Sequence, residues 1–118
     1  MKAKFFNLAK KLAESSDYEQ HPMGAVIARG NKLISVGFNR KRTHPMSKTR
    51  FKNMHCELAA IIAARGDTKG AEIYIYRETR AGIPALARPC EHCQSLIREF
   101  GLKVTYYTSE SGYVKEIF

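Results

Sequence analysis

The sequence predicts an α/β fold, a three-layer α-β-α sandwich around a mixed sheet of four to five strands. Helical and extended segments alternate along the chain in the order α-β-β-α-β-α-β. A two-residue turn joins the first two strands, and helical connections long enough to cross a sheet separate the later ones. Because crossover connections join parallel strands, we expect the later strands to lie parallel beside the opening hairpin, with helices covering the sheet.

An amphipathic helix opens the chain and is expected over residues 2–16. Apolar side chains recur there at steps of three and four residues, which puts them on one face of the helix. These side chains are Phe5, Leu8, Ala9 and Leu12. Two strands follow, over residues 24–29 and 32–38. The Gly30-Asn31 pair between them is typical of a turn that joins antiparallel strands, so we expect a hairpin.

Residues 40–52 form a strongly basic segment after the hairpin. It carries six cations, one proline and no acid, and its apolar residues show no periodicity. We therefore expect a loop rather than a helix or strand. Six cations beside a substrate site attract phosphate groups, so this basic loop is our candidate contact for a nucleotide phosphate or for single-stranded DNA or RNA.

A second helix and a third strand follow the basic loop. Residues 55–65 contain four alanines and one leucine, which favour helices, and Gly66 suits the position just after a helix end. Residues 71–77 contain isoleucine and tyrosine in a short run, which is typical of a strand. This part of the chain therefore predicts one helix that crosses the sheet and returns the chain to it.

The remaining residues predict a third helix and a fourth strand. The helix is expected over residues 90–100, with Pro89 in its first turn and Gly101 at its end. Residues 103–108 are rich in threonine, tyrosine and valine and are expected to form the strand. The tail, residues 109–118, is expected to add an edge strand or a turn.

Length and composition narrow the classes of protein that fit. The 118 residues suit one domain, so we expect residues 1–118 to form a single unit. Apolar residues make up 44% of the chain and charged residues 26%, a globular balance that excludes disordered and collagen-like chains. The sequence has no long apolar run and no apolar leader block, which favours the cytoplasm. The net charge of +9 favours phosphorylated or polyanionic partners.

The strongest chemical pattern combines His55-x-Glu57 with Cys90-x-x-Cys93, and proline precedes the first cysteine. Zinc binds imidazole nitrogen and thiolate sulfur, and three protein ligands plus a water are the arrangement of a catalytic zinc site. Both motifs begin predicted helices, where unpaired N–H groups stabilise anions. Residues two apart cannot share one helix face, so His55 and Glu57 can both serve one site only at the helix start.

Zinc at such a site implies hydrolytic chemistry. Bound zinc lowers the pKa of a water molecule from about 15.7 to about 7. Glu57, a carboxylate beside the metal but outside its ligands, is then placed to accept the proton of that water. It can deliver the proton first to a ring nitrogen and then to a leaving amine, and this sequence of steps is hydrolytic deamination.

The pattern resembles the cytidine and deoxycytidylate deaminase zinc-binding family. The resemblance rests on His55-x-Glu57 and Pro89-Cys90-x-x-Cys93 and covers nearly the whole chain. It implies a five-stranded sheet with the metal between two helix starts. It also implies that His55, Cys90 and Cys93 are the zinc ligands and that Glu57 is the catalytic acid and base.

The resemblance further implies three contacts with the substrate. Asn39, at the end of the second strand, corresponds to an asparagine that meets the sugar. The backbone amide of Cys56 corresponds to the group that polarises the ring carbonyl. The backbone carbonyl of Arg88 corresponds to the group that accepts a hydrogen bond from the amine.

Departures from individual branches of the family narrow the substrate. His55 stands where compact free-nucleoside cytidine deaminases usually carry cysteine, which favours a nucleotide such as dCMP. Residues 40–54 are shorter than the insert typical of deoxycytidylate deaminases, and the chain lacks the tryptophan of antiviral polynucleotide deaminases. The sequence looks closest to compact phage-like members. We therefore expect conversion of cytosine to uracil with release of ammonia, and deamination within single-stranded DNA or RNA is the alternative.

Other interpretations remain open from the residues alone. Cys90 and Cys93 at a helix start also suit a redox pair. A structural zinc site would need a fourth ligand, and His92, which stands between the two cysteines, is poorly placed to reach the same metal. A zinc-stabilised nucleic-acid-binding module without catalysis would leave Glu57 dispensable. The oligomeric state is open between a monomer and a homo-oligomer, and self-association is plausible because a compact α/β layer can expose an apolar helix face.

Overall fold

The computed structural model describes residues 2–16, 22–39, 55–79 and 81–118. Within these ranges lie three helices and five strands: α1 (Ala3–Glu14), β1 (Met23–Arg29), β2 (Lys32–Phe38), α2 (Cys56–Ala63), β3 (Glu72–Arg77), α3 (Glu91–Glu99), β4 (Val104–Ser109) and β5 (Gly112–Glu116). This order confirms the predicted elements, and β5 is the expected edge strand. Among the described residues, the helices are too short or too polar to cross a membrane.

The five strands form one mixed sheet in the order β2-β1-β3-β4-β5. Strand β1 is antiparallel to both β2 and β3, β3 and β4 are parallel, and β5 returns antiparallel to β4. The prediction that the later strands lie parallel beside the hairpin is therefore wrong for β3. The connection through α2 leaves the outer strand β2 and passes over β1, so β3 runs parallel to β2 without pairing with it.

Helices cover both faces of the sheet, which confirms the three layers. Strands β1 and β3 lie in the middle and are buried on both faces, so their successive residues enter different cores. Val26 and Tyr74 pack with α1 in a core rich in aromatic rings. Ile27 and Ile73 pack with α2 and α3 in an aliphatic core. The candidate site lies on this second, aliphatic face.

Two glycines allow helices to approach the sheet closely from opposite faces. A Cβ atom at Gly24 would overlap the backbone of α1 at Ala9. A Cβ atom at Gly37 would lie 2.5 Å from the Ala60 nitrogen and 2.8 Å from the Cys56 carbonyl oxygen, both in α2. Any side chain at Gly37 would therefore push α2 outward, and the glycine keeps the first turn of that helix against the end of β2.

The boundaries of α2 and α3 differ slightly from the predicted ones. Helix α2 ends before Arg65 and Gly66, whose positive φ angles of 51° and 90° stop the helix. Pro89 precedes α3 rather than lying in its first turn. The reason is that Cys90 is the N-cap residue, with an extended backbone (φ −67°, ψ 166°), so the helix begins at Glu91.

Candidate metal and catalytic site

The predicted metal ligands lie at the starts of two neighbouring helices. His55 is the N-cap residue of α2 and Cys90 is the N-cap residue of α3. Cys93 lies in the first turn of α3 and is buried. Each helix follows a strand of the sheet, β2 or β3, and runs back from its carboxyl end. The first turns of the two helices, whose N–H groups have no partner within the helix, therefore meet at the end of the sheet where β2 and β3 terminate.

The three ligand atoms converge on one point. The Nδ1 atom of His55 lies 3.9 Å from the Cys90 sulfur and 3.5 Å from the Cys93 sulfur. All three ligand atoms lie within 4.8 Å of one another. Zinc binds nitrogen and sulfur at about 2.0–2.3 Å, so atoms this close can share one ion. No fourth ligand from the described residues joins the cluster, and such an open set is typical of catalytic zinc.

Hydrogen bonds among these groups set their protonation. The pKa of Cys90 is lowered to about 4, chiefly because its sulfur accepts a hydrogen bond from the Cys93 thiol and further because it interacts with His55. The same bond to Cys90, together with burial, raises the pKa of Cys93. The hydrogen bond to Cys90 also raises the pKa of His55. A cation bound here displaces protons from these groups, because zinc ligands are deprotonated.

Glu57 is buried beside the ligand cluster, with 2% of its surface exposed. Its Oε1 atom accepts a hydrogen bond from the Cys56 thiol at 3.0 Å. Burial raises the pKa of Cys56 well above its ordinary value, so this sulfur remains a donor. The charge of Glu57 contributes to the raised pKa of Cys93, after the effects of Cys90 and of burial. The carboxylate therefore adjoins the ligands without belonging to their set, which suits a proton shuttle.

Asn39 closes the open end of the β1–β2 hairpin and has 3% of its surface exposed. Its backbone N–H donates to the Met23 carbonyl at 3.2 Å, and its Oδ1 atom accepts from the Met23 N–H at 2.9 Å. The Ser16 hydroxyl also donates to Oδ1 and lies 2.8 Å from the Asn39 carbonyl oxygen. Asn39 thus joins the hairpin to the end of α1, and its contact with a sugar stays a prediction.

Arg88 lies directly before Pro89 and the predicted ligand Cys90. Its guanidinium makes a two-pronged ion pair with Glu116, with distances of 3.0 Å and 2.8 Å. The next carbonyl, that of Pro89, accepts a hydrogen bond from the Gln94 side chain at 2.8 Å. The side chain of Arg88 is therefore held by β5, and its backbone carbonyl remains the predicted substrate contact.

Three further expectations from the sequence concern His92, the basic loop and self-association. His92 is half-buried and does not join the ligand cluster, so the described residues give no support to a four-ligand structural site. The basic loop, residues 40–52, lies outside the described residues. Self-association stays a prediction.

Two residues near the site were missed by the sequence analysis. Ser16 holds Asn39 from the end of α1, and Glu116 holds Arg88 from β5. Both contacts join residues more than 20 positions apart, and neither residue belongs to a recognisable motif. Ser16 meets Asn39 through the packing of α1 on the sheet, and Glu116 meets Arg88 because β5 pairs with β4, so no local signal could have found them.

Comparison with known proteins agrees with this arrangement. The sequence matches the family described as the cytidine and deoxycytidylate deaminase zinc-binding region over residues 1–109. The deoxycytidylate deaminase of Mycobacterium phage D29 is 26% identical over 129 residues, and the match covers 91% of this chain and 93% of that protein. The family match includes both halves of the metal motif.

Solved structures confirm the fold. The dCMP deaminase of cyanophage S-TIM5, in complex with dCMP and dUMP, superposes with a TM-score of 0.68 at 18% identity, covering 91% of this chain and 82% of that one. The cytidine deaminase of Burkholderia pseudomallei gives a TM-score of 0.71 at 17% identity, covering 99% of this chain and 92% of that one. Both share the mixed sheet flanked by helices.

Proposed function

Because this chain belongs to the cytidine and deoxycytidylate deaminase zinc-binding family, and is on that ground a hydrolytic deaminase, we propose that it converts the cytosine of a nucleotide such as dCMP to uracil and releases ammonia. The observation that carries this proposal is the convergence of three ligand atoms within 4.8 Å at two helix starts, with a buried carboxylate beside them. The phage relative named as a deoxycytidylate deaminase and the neighbour solved with dCMP and dUMP support the nucleotide level.

His55, Cys90 and Cys93 are the residues that hold zinc in this proposal. One imidazole and two sulfurs are donors that zinc prefers, and their mutual distances suit a single ion. Zinc supplies, when bound, an activated water molecule as the nucleophile near neutral pH. Because Cys93 lies on the buried side of α3 and His55 and Cys90 are the N-caps of their helices, the ligand set is held by backbone geometry rather than by a loop.

Glu57 moves the protons of the reaction. Its carboxylate accepts a proton from the attacking water and passes it to the ring nitrogen of cytosine. The oxygen of that water forms a bond to C4 of the base. Glu57 then transfers the remaining proton of this oxygen to the amine, the C4–N bond breaks, and ammonia leaves while the C4–O bond becomes the carbonyl of uracil. The burial of Glu57 fits this role, because a carboxylate shielded from bulk water exchanges protons with the substrate rather than with solvent.

The backbone supplies the remaining contacts with the base. Cys56 is the first residue of α2, and N–H groups at a helix start have no partner within the helix, so its amide can donate to the ring carbonyl. The Arg88 carbonyl accepts from the exocyclic amine, and Asn39 meets the sugar. The cations of residues 40–52 are the proposed contact for the phosphate.

The test is ammonia release by zinc-loaded protein with cytidine, CMP, dCMP, dCTP, adenosine and short single-stranded DNA and RNA. The decisive variant is Glu57→Gln, which keeps the size of the side chain and a hydrogen-bond acceptor for Cys56. We expect turnover of dCMP to fall by about 10²–10⁴-fold, with zinc content unchanged. Glu78→Gln is a matched control, because Glu78 is also a buried carboxylate that accepts one side-chain hydrogen bond, from Tyr76, but lies outside the cluster.

The outcomes separate the proposal from its rivals. Turnover of dCMP that is lost in Glu57→Gln and kept in Glu78→Gln supports it. Turnover confined to DNA or RNA strands, with steep dependence on salt, would assign the activity to polynucleotides. Stoichiometric zinc with no turnover of any substrate, and nucleic-acid binding that ignores the mutation, would instead indicate a binding module.

A further inference from the structure

An ion-pair cluster ties the segment before Cys90 to the last strand of the sheet. Glu116, near the end of β5, receives the Arg88 guanidinium through both carboxylate oxygens, at 3.0 Å and 2.8 Å. The Tyr107 hydroxyl in β4 donates to the same carboxylate at 2.8 Å. Three donors from two side chains therefore converge on Glu116, and a two-pronged arginine–carboxylate pair fixes direction as well as distance.

The backbone on either side of Arg88 is also anchored. The Ala87 N–H donates to the Thr108 carbonyl at 2.9 Å, and the Pro89 carbonyl accepts from Gln94 at 2.8 Å. Among the described residues, no hydrogen bond reaches the Arg88 carbonyl oxygen itself. The Arg88 carbonyl, which the proposed reaction uses, therefore lies between two hydrogen-bonded backbone groups. The ion pair of the Arg88 side chain anchors the same residue at a third point.

The residues after β5 add a second hold on the same guanidinium. The Arg88 guanidinium carbon lies 5.5 Å from the centre of the Phe118 ring, within reach of a cation–π contact. The Phe118 carbonyl in turn accepts a hydrogen bond from Arg98 of α3 at 3.3 Å. Arg88 is therefore exposed to solvent but contacts a carboxylate on one side and, on the other, a ring that α3 helps to hold.

We infer that Glu116 is a positioning residue, which acts through Arg88 to hold the Arg88 backbone carbonyl where it meets the exocyclic amine of the substrate. This inference rests on the proposed function. Without Glu116, the Arg88 side chain loses its fixed direction, and the carbonyl between Ala87 and Pro89 gains freedom to turn. The product uracil has no exocyclic amine, so this loss affects the reacting substrate and not the bound product.

The test compares Glu116→Gln with Asp67→Asn in the zinc-loaded protein. Asp67 also forms an exposed ion pair with an arginine, Arg29 at the end of β1, at 2.9 Å, and two strands separate β1 from β5. We expect Glu116→Gln to lower kcat for dCMP by roughly fivefold to tenfold, between the effect of an exposed ion pair and that of a misplaced catalytic group. The dissociation constant of dUMP and the zinc affinity, measured by competition with a chelator, should stay within about twofold of the parent. Glu116→Asp keeps the charge and should recover part of the lost kcat.

Each outcome decides a different question. A kcat of Glu116→Gln equal to that of Asp67→Asn overturns the positioning role and leaves the proposed function intact. Equal losses in dUMP binding and zinc affinity would show that Glu116 merely supports the fold, which also overturns the role. Absence of dCMP turnover in the parent protein removes the proposed function and this inference with it.

Discussion

The two faces of the sheet are built from different kinds of side chain. On the α1 face, aromatic rings pack against one another: Phe5 and Phe6 each lie 5.3 Å from Tyr74, and Tyr74 stacks on Tyr106 at 4.9 Å between ring centres. On the face covered by α2 and α3, the core consists mainly of alanine, isoleucine and leucine. The predicted metal ligands lie on this second face.

Both faces bring a helix close to the sheet at one glycine, α1 at Gly24 and α2 at Gly37. On the second face this closeness serves the site, because zinc bonds of about 2.0–2.3 Å require the ligand atoms at the two helix starts to lie close together. The aromatic face supplies bulk and burial, whereas the aliphatic face also carries the cluster of predicted ligands.

The largest effect is expected when a predicted zinc ligand on the aliphatic face is removed. We expect Cys90→Ser to abolish stoichiometric zinc and dCMP turnover, because loss of a direct ligand weakens metal binding by more than the roughly 10–100-fold that loss of a supporting contact costs. Cys56→Ser is the matched control, since its hydroxyl can still donate to Glu57. Zinc content measured by atomic absorption checks both variants, and equal zinc loss in the two would contradict the ligand assignment.

Alanine substitutions at two glycines, one on each face of the sheet, compare the two faces directly. Both Gly24→Ala and Gly37→Ala push a helix away from the sheet, one on each face, and each should lower the free energy of unfolding by about 1–3 kcal/mol. Gly37→Ala should also weaken zinc binding, because it displaces the turn that begins with Cys56. Denaturant unfolding and chelator competition measure the two effects. Unchanged zinc affinity in Gly37→Ala would show that the site tolerates movement of α2.

The smallest effect is expected on the aromatic face. The Tyr74 hydroxyl accepts a hydrogen bond from the Lys2 backbone N–H at 3.1 Å, and burial raises its pKa. Tyr74→Phe removes this bond and should lower the free energy of unfolding by about 1 kcal/mol. Deamination and zinc affinity should not change. A fall in kcat in this variant would mean that the two faces are coupled more closely than their packing indicates.

Local patterns in the sequence were sufficient for the elements and for the grouping of His55, Cys90 and Cys93. The periodicity of α1, the Gly30-Asn31 turn and the start of α3 beside Pro89 are each encoded by residues only a few positions apart. Histidine and cysteine are among the few residue types that bind zinc, so the motifs that contain His55 and Cys93 indicated that the two residues belong to one site. The structure brings their atoms to 3.5 Å.

Features that depend on the order of the strands in the sheet could not be predicted from the sequence. The antiparallel pairing of β1 with β3 follows from the passage of α2 over β1, and no residue in either strand encodes that direction. The contact between Arg88 and Glu116 likewise requires β5 to lie next to β4. Long-range pairing of this kind arises from the whole sheet, which periodicity and motif spacing do not describe.

The distance between the ligands along the chain has a consequence for the unfolded state. His55 and Cys90 are 35 positions apart, and α2 and β3 lie between them. An ion held by both closes this stretch into a ring, and ring closure lowers the entropy that the chain gains when it unfolds. A metal bound here would in that sense be a removable cross-link, which joins two helices much as a disulfide would, but which a chelator could open without reduction.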